Sequence, residues 1–186
     1  MVTTNTGQLT LDTFLALPET TPASEYINGQ VFQKPMPKTR HSRLQGKLTE
    51  AINRVAEDDQ IAYAFPELRC TFGGRSIIPD ISVLLWNNIR FDADGEPIDD
   101  VIIPPDWVIE ILSPDQSANR VTGNILHCLK YGSQMGWLLD PDDRSVMVLK
   151  SNQTPELLSG DDLIPDIAEL PMQLTAAQVF GWLKMK

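Results

Sequence analysis

Apolar positions recur along this chain at two spacings, and the switches between them mark out the elements. Leu44, Leu48, Ile52 and Val55 follow one another at intervals of four, four and three. That spacing predicts a helix from about His41 to Glu57 with one apolar face. Leu11, Phe14 and Leu15 share a face of a shorter helix over Thr10 to Leu17, with Thr10 able to cap it. Between Glu25 and Phe32, β-favouring residues flank Asn28-Gly29, the strongest short hairpin signal. Lys34-Pro35-Met36-Pro37 then breaks the pattern. Ile61 to Phe72 reads as a strand, Gly73-Gly74 as a turn and Ser76 to Trp86 as the next strand.

Asn87 to Pro105 is a long acidic loop, and Trp107 to Leu112 a short apolar run typical of a buried strand. Ser113-Pro114-Asp115-Gln116 resembles a capping box. Gly123 moves the expected helix start towards Thr122, and Gly132 should close it after Tyr131. Met135 to Leu139 and Ser145 to Leu149 read as strands around Asp140-Pro141-Asp142-Asp143. An irregular acidic segment follows. A last helix, from about Thr175 to Lys184, should bury Val179, Leu183 and Trp182. This order predicts an α/β (α+β) fold with a mixed central β-sheet flanked by helices. The 186 residues suit one domain, with the helix and hairpin of residues 10–33 and the C-terminal helix 175–184 packed on it.

Charge changes the picture at a few positions. Asp80 stands alone in Ile77-Ile78-Pro79-Asp80-Ile81-Ser82-Val83-Leu84-Leu85, and Glu110 alone in Trp107-Val108-Ile109-Glu110-Ile111-Leu112. A charge embedded in such a run costs free energy unless it is paired, hydrogen-bonded or metal-bound. A two-residue turn at Gly73-Gly74 also sets Glu67 directly opposite Asp80. Opposed like charges destabilise a strand pair, and a divalent cation between them would reverse the sign. The alternatives are that both side chains face water or that Arg69 neutralises them. For Glu110 the alternative is a salt bridge to a buried cation, which few basic residues look placed to supply. Paired carboxylates suit a hard cation such as Mg²⁺, with Mn²⁺ as substitute, able to activate water and stabilise phosphate charge.

Overall the chain carries 15 basic and 25 acidic residues, a net −10 that repels nucleic acid on average. Lys34, Lys38, Arg40, Arg43, Lys47 and Arg54 nevertheless face only Glu50 within residues 34–54, a local +5. That face could meet a phosphate backbone or simply be solvated. His41 begins the basic helix, where it could contact phosphate or the active site. Cys70 and Cys128 fit neither a disulfide framework nor a zinc motif and read as core residues. No stretch is long and apolar enough for a membrane, and Met1 to Gln8 carry no basic or apolar leader pattern. A reducing, cytoplasmic setting is the expectation.

Pro79-Asp80 followed thirty residues later by Glu110-Ile111-Leu112 resembles the core of the PD-(D/E)XK nuclease superfamily. Ser113-Pro114, Gly136-Trp137-Leu138-Leu139-Asp140-Pro141, Asn28-Gly29, His41 and Phe180-Gly181-Trp182-Leu183 narrow the resemblance to the Uma-type restriction endonucleases, domains of unknown function. The resemblance covers nearly the whole chain and implies a restriction-endonuclease-like fold. It implies that Asp80 and Glu110 hold a divalent metal with the main-chain carbonyl of Ile111. Glu67 matches a position where members often carry an acid. The chain departs from the pattern at the lysine. The superfamily places one two residues after the second acid, where Leu112 stands. The family position on the following helix falls on Asn124. Arg120, His127 and Lys130 are nearby substitutes, none of them matching in position.

Two functions follow. One is a Mg²⁺-dependent endonuclease acting on DNA: Asp80, Glu110 and Glu67 at the catalytic centre, and Lys38, Arg40, His41, Arg43 and Lys47 against the phosphate backbone. A homodimer would align two such basic faces. The other is a catalytically weakened module of the same fold that binds metal, nucleic acid or a protein partner. A scaffold without any metal site is a third reading, under which Asp80→Ala would be neutral or stabilising. A carboxylate-pair glycosidase ranks below these.

Overall fold

A computed structural model describes residues 9–114, 116–167 and 170–186. Its local structure follows the turn and cap signals closely. Helix α1, Leu11–Leu15, is capped by Thr10, whose hydroxyl accepts the Thr13 N–H. Strands β1, Ser24–Ile27, and β2, Gln30–Gln33, close around Asn28-Gly29 with Ile27 opposite Gln30. Both turn residues have positive φ, 52° and 84°, as a tight two-residue hairpin requires. Helix α2, Thr39–Ala56, buries Leu44, Leu48 and Ile52 as its spacing demands, and it buries His41 as well.

The two long strands expected on either side of Gly73-Gly74 are each broken in two. The first becomes β3, Ala62–Pro66, and β4, Cys70–Phe72. The second becomes β5, Arg75–Ile77, and β6, Ile81–Leu85. Register survives the break: Phe72 opposes Arg75 beyond it and Pro66 opposes Ile81 before it. At the break Glu67 takes a left-handed φ of 50°, and Pro79 has no N–H to give a ladder. The hairpin therefore splits between two sheets. Its outer half joins a four-stranded antiparallel sheet ordered β2-β1-β5-β4.

The inner half joins β7, Trp107–Ile111, β8, Met135–Asp140, β9, Ser145–Lys150, and β10, Glu156–Ser159. Together they form a six-stranded mixed sheet ordered β10-β9-β8-β7-β6-β3, in which only β7 and β8 run parallel. β10 lies in the segment expected to be irregular. Helix α3, Ala118–Lys130, makes the parallel crossover. It starts four residues before Thr122, because Gly123 is tolerated inside it. The Gln116 side chain accepts the Ser113 N–H in a turn ahead of the helix, while Asp115 lies outside the described residues. Gly132, at φ 121°, ends α3 as expected. Helix α4, Ala176–Gly181, is shorter than its pattern and opens with a capping box between Thr175 and Gln178.

Helices cover both faces of the larger sheet. α2 and α4 close one face over a core containing Trp107, Trp137, Ile109, Leu139 and Val179. α3 closes the other over Val108, Val121, Ile125, Cys128 and Leu138. Gly136 on β8 is needed there, since a Cβ would collide with Ile125. The result is the expected mixed sheet flanked by helices, with a second small sheet added at one end. No helix among the described residues is long and apolar enough to cross a membrane.

Candidate active site at the seam between the sheets

The break in the hairpin decides where the chemistry sits. Asp80 is the last residue before β6, so it lies where the two sheets part, and it is fully buried. Ile81 pairs with Ile109, and the same register carried one residue further faces Asp80 with Glu110, itself 3% exposed. Strand pairing thus brings together two acids thirty residues apart in sequence.

Neither carboxylate is bare. Lys34, just after β2, sends its Nζ to Asp80 Oδ1 at 2.7 Å and to the Ile78 carbonyl at 2.7 Å. His41, in the first turn of α2, places Nε2 2.9 Å from Asp80 Oδ2. The Ile111 N–H donates to the same oxygen at 2.8 Å. One turn further along α2, Gln45 donates to the Asp80 carbonyl, as does the Glu67 N–H. A third buried acid completes the cluster. Glu25 on β1 accepts the Ile78 N–H through Oε1 at 2.8 Å, and Asn124 on α3 donates to its Oε2 at 3.3 Å.

Charge divides unevenly over this cluster. Burial alone would raise the Asp80 pKa, but the hydrogen bonds and positive charge of His41 and Lys34 win and lower it to about 2. Glu110 goes the other way. Burial and repulsion from Asp80 push its carboxyl well above the usual value. Burial likewise raises Glu25. For Lys34, burial opposes the charged form, but Asp80 and Glu110 hold its ammonium above its ordinary range. Three acids therefore crowd around one buried ammonium, Lys34, and the shortage of positive charge falls on Glu110.

A cavity of about 300 Å³ opens this cluster to the surface, with Lys34, His41, Glu67 and Asp80 in its wall. A second, of about 260 Å³, lies beyond His41 and Ser113 and is walled by Lys38 and Arg40. Among the described residues no three His, Cys, Asp or Glu side chains are arranged as a metal-ligand group. The donor chemistry nevertheless fits a hard divalent cation. Asp80 and Glu110 offer oxygen only, the buried acids of the cluster outnumber its one ammonium, and Lys34 Nζ stands at the Asp80 oxygen such an ion would claim.

The model of a family described as "Putative restriction endonuclease", Uma2, matches residues 11–178. The chain belongs to this family. A solved structure, "a putative nuclease belonging to DUF820 from Anabaena variabilis", shares 51% identity and a TM-score of 0.92, covering 94% of this chain and 99% of that one. No curated protein matches the chain.

Within this Uma2 chain, the expected residues fare differently. Asp80, Glu110 and Ile111 lie together. Glu67 stands opposite Asp80 as the register required, but its side chain is exposed at the cavity mouth. Arg69 does not neutralise the pair; it binds the Ser24 carbonyl, Ser76 and Glu19. Of the basic helix, His41 faces Asp80 rather than outward. Arg43 turns to the Trp182 carbonyl, and Lys47 pairs with Glu50. Arg40 pairs at the surface with Asp142. On α3, His127 bonds the Phe72 carbonyl and stacks on that ring, and Lys130 lies near Tyr131. Arg120 lies over Phe32, 4.5 Å from its ring centre, beside a small pocket shared with Glu25, Lys34 and Glu110.

Glu25 and Lys34 are the members that sequence reasoning missed. Glu25 carried the Asp80 signal, an acid beside β-favouring Tyr26-Ile27, but a four-residue hairpin strand reads as exposed. Lys34 reads only as one charge of the basic run 34–54, since a lysine before proline in a loop is ordinarily solvated.

Proposed function

We propose that this chain is a divalent-metal-dependent endonuclease that hydrolyses phosphodiester bonds in DNA. The observation that carries the reading is the facing pair of buried carboxylates, Asp80 and Glu110, at the seam behind an open cavity. A folded domain rarely keeps two such acids without use for them. Family membership supports a nuclease, and the PD-(D/E)XK pattern of Asp80 and Glu110 supports this arrangement.

Asp80 and Glu110, with the Ile111 carbonyl, would hold Mg²⁺ or Mn²⁺. Such an ion supplies Lewis-acid stabilisation of phosphate charge and lowers the pKa of water. His41 orients Asp80 through Nε2. Glu25 holds the Ile78 N–H and so fixes the turn that aims Asp80. Glu67, at the cavity mouth, is placed to accept a proton from incoming water. Lys38 and Arg40 line the adjoining cavity, where the scissile strand can continue.

The weakened-module reading keeps one specific support: Leu112 and Asn124 stand where the pattern has lysine. Titrating Mn²⁺ calorimetrically into the wild type and Asp80→Asn separates these readings from a scaffold. Incubation with supercoiled, linear and single-stranded DNA then separates them from each other. Mn²⁺ binding lost in Asp80→Asn, with metal-dependent cleavage by the wild type, is the expected result. Equal or absent binding in both proteins would remove the metal site. Binding without cleavage of any DNA form would leave the binding module.

A further inference from the structure

We infer that Lys34, from the end of the N-terminal hairpin, supplies the active-site cation that the chain lacks at positions 112 and 124. This rests on the nuclease reading above.

Nζ of Lys34 lies 2.7 Å from Asp80 Oδ1 and 2.7 Å from the Ile78 carbonyl. Its side chain is 12% exposed, and it is part of the wall of the open cavity. It also borders the small pocket that holds Glu25, Glu110 and Asn124. The ammonium therefore sits on Asp80, in the wall of the open cavity a phosphate would enter and on the border of the pocket that Glu110 lines. Two other basic candidates stand elsewhere: His127 is held by Phe72, and Lys130 lies at Tyr131. Arg120 borders the small pocket as well, but its guanidinium lies over the Phe32 ring, whereas Lys34 bonds Asp80 directly.

Asn124 fits the same exchange. It is 5% exposed and donates to Glu25, which in turn holds the Ile78 N–H. A neutral amide there satisfies Glu25 without adding a second cation to a pocket already holding Lys34. The lysine has in effect moved from a helix to a hairpin, with its charge delivered to the same carboxylates.

Lys34 has two states in this scheme. Without metal it serves as counterion to Asp80. With metal on the carboxylates its flexible stem turns the ammonium into the cavity, against the phosphate. In hydrolysis, water oxygen forms the new P–O bond and the P–O bond to the leaving sugar oxygen breaks. One water proton passes by way of Glu67 to solvent, and the leaving oxygen takes one proton from water. Lys34 stabilises the negative charge that builds on the phosphate oxygens between these events.

The test compares wild type, Lys34→Met, Lys34→Gln, Asn124→Lys and the Lys34→Met/Asn124→Lys double variant. Each is measured for cleavage of plasmid and oligonucleotide DNA, for Mn²⁺ affinity and for Tm. Loss of the ammonium should slow cleavage about 10²- to 10³-fold, as for other single charge-stabilising donors. It should also tighten Mn²⁺ binding about tenfold, because a competing cation has left Asp80. The double variant should recover part of the cleavage. A merely structural lysine would lower Tm without tightening metal binding. Lys34→Gln keeps a donor for Ile78 and Asp80, so it decides the matter if Lys34→Met fails to fold. Unchanged cleavage in a folded Lys34 variant, or weakened Mn²⁺ binding, overturns the assignment while the nuclease reading stands. A wild type that cleaves no DNA overturns both.

Discussion

The two ends of strand β7 contrast sharply. At one end Trp107 packs edge-on against Trp137 with ring centres 4.5 Å apart, both fully buried. Three residues along, Glu110 is as deeply buried among Asp80, Lys34 and Glu25. The first end lowers the free energy of folding by removing apolar surface from water. The second raises it, because each carboxylate loses hydration that its partners only partly restore. One strand thus carries part of the apolar core and part of the buried acidic cluster. What separates them is the split of the hairpin, which lets side chains from both sheets converge.

The contrast can be broken first at its stable end. Trp137→Ala should cost about 4 kcal/mol, since a large buried side chain and its contacts vanish. Chemical denaturation would read this directly, and a loss under about 1 kcal/mol would contradict the role given to that core. At the other end, Asp80→Ala should destabilise by about 3 kcal/mol, because Lys34 and His41 stay buried without their acid. The scaffold reading predicted the opposite sign from an unpaired charge, and the pairing removes its premise. A stabilised Asp80→Ala in the same denaturation series would restore it. Gly136→Ala should cost about 2 kcal/mol by forcing Ile125 off the sheet, with Mn²⁺ binding kept.

Glu110→Gln sharpens the contrast through pH. A carboxyl with a raised folded pKa holds its proton while the unfolded chain releases it above about 4.5. Wild-type stability therefore falls as pH climbs from that value towards the folded pKa. The glutamine variant lacks this loss, so its Tm relative to wild type should be higher at pH 8 than at pH 4.5. Melting curves at both pH values check the sign, and a difference of the reverse sign would mean that Glu110 is held ionised. Smallest is Arg40→Ala. Its exposed pair with Asp142 should change stability by no more than about 0.5 kcal/mol. Its place in the second cavity wall should appear instead as weaker, less salt-dependent DNA binding in a filter or fluorescence assay.

Local signals served well where geometry is local. Asn28-Gly29 and Gly73-Gly74 placed both hairpins with the right opposed residues, and the α2 stripe is buried at Leu44, Leu48 and Ile52. Embedded charge found Asp80 and Glu110 because a lone acid in an apolar run has few cheap solutions. The same rule could not show that both long strands change sheets at Glu67 and Pro79. That break depends on β1 pairing with β5, a contact between segments about fifty residues apart.

The sequence by itself determined the turns, the amphipathic helices and the two acids, since these rest on spacing, φ and burial cost within one element. Tertiary structure alone decided the cluster's composition. Glu25 and Lys34 belong to it because the first hairpin docks on the seam. His41 belongs because the first turn of α2 points inward, while Arg43 and Lys47 on the same helix were drawn to Trp182 and Glu50. Which charges meet in a protein depends on which segments pack together, and spacing along one segment carries no record of that.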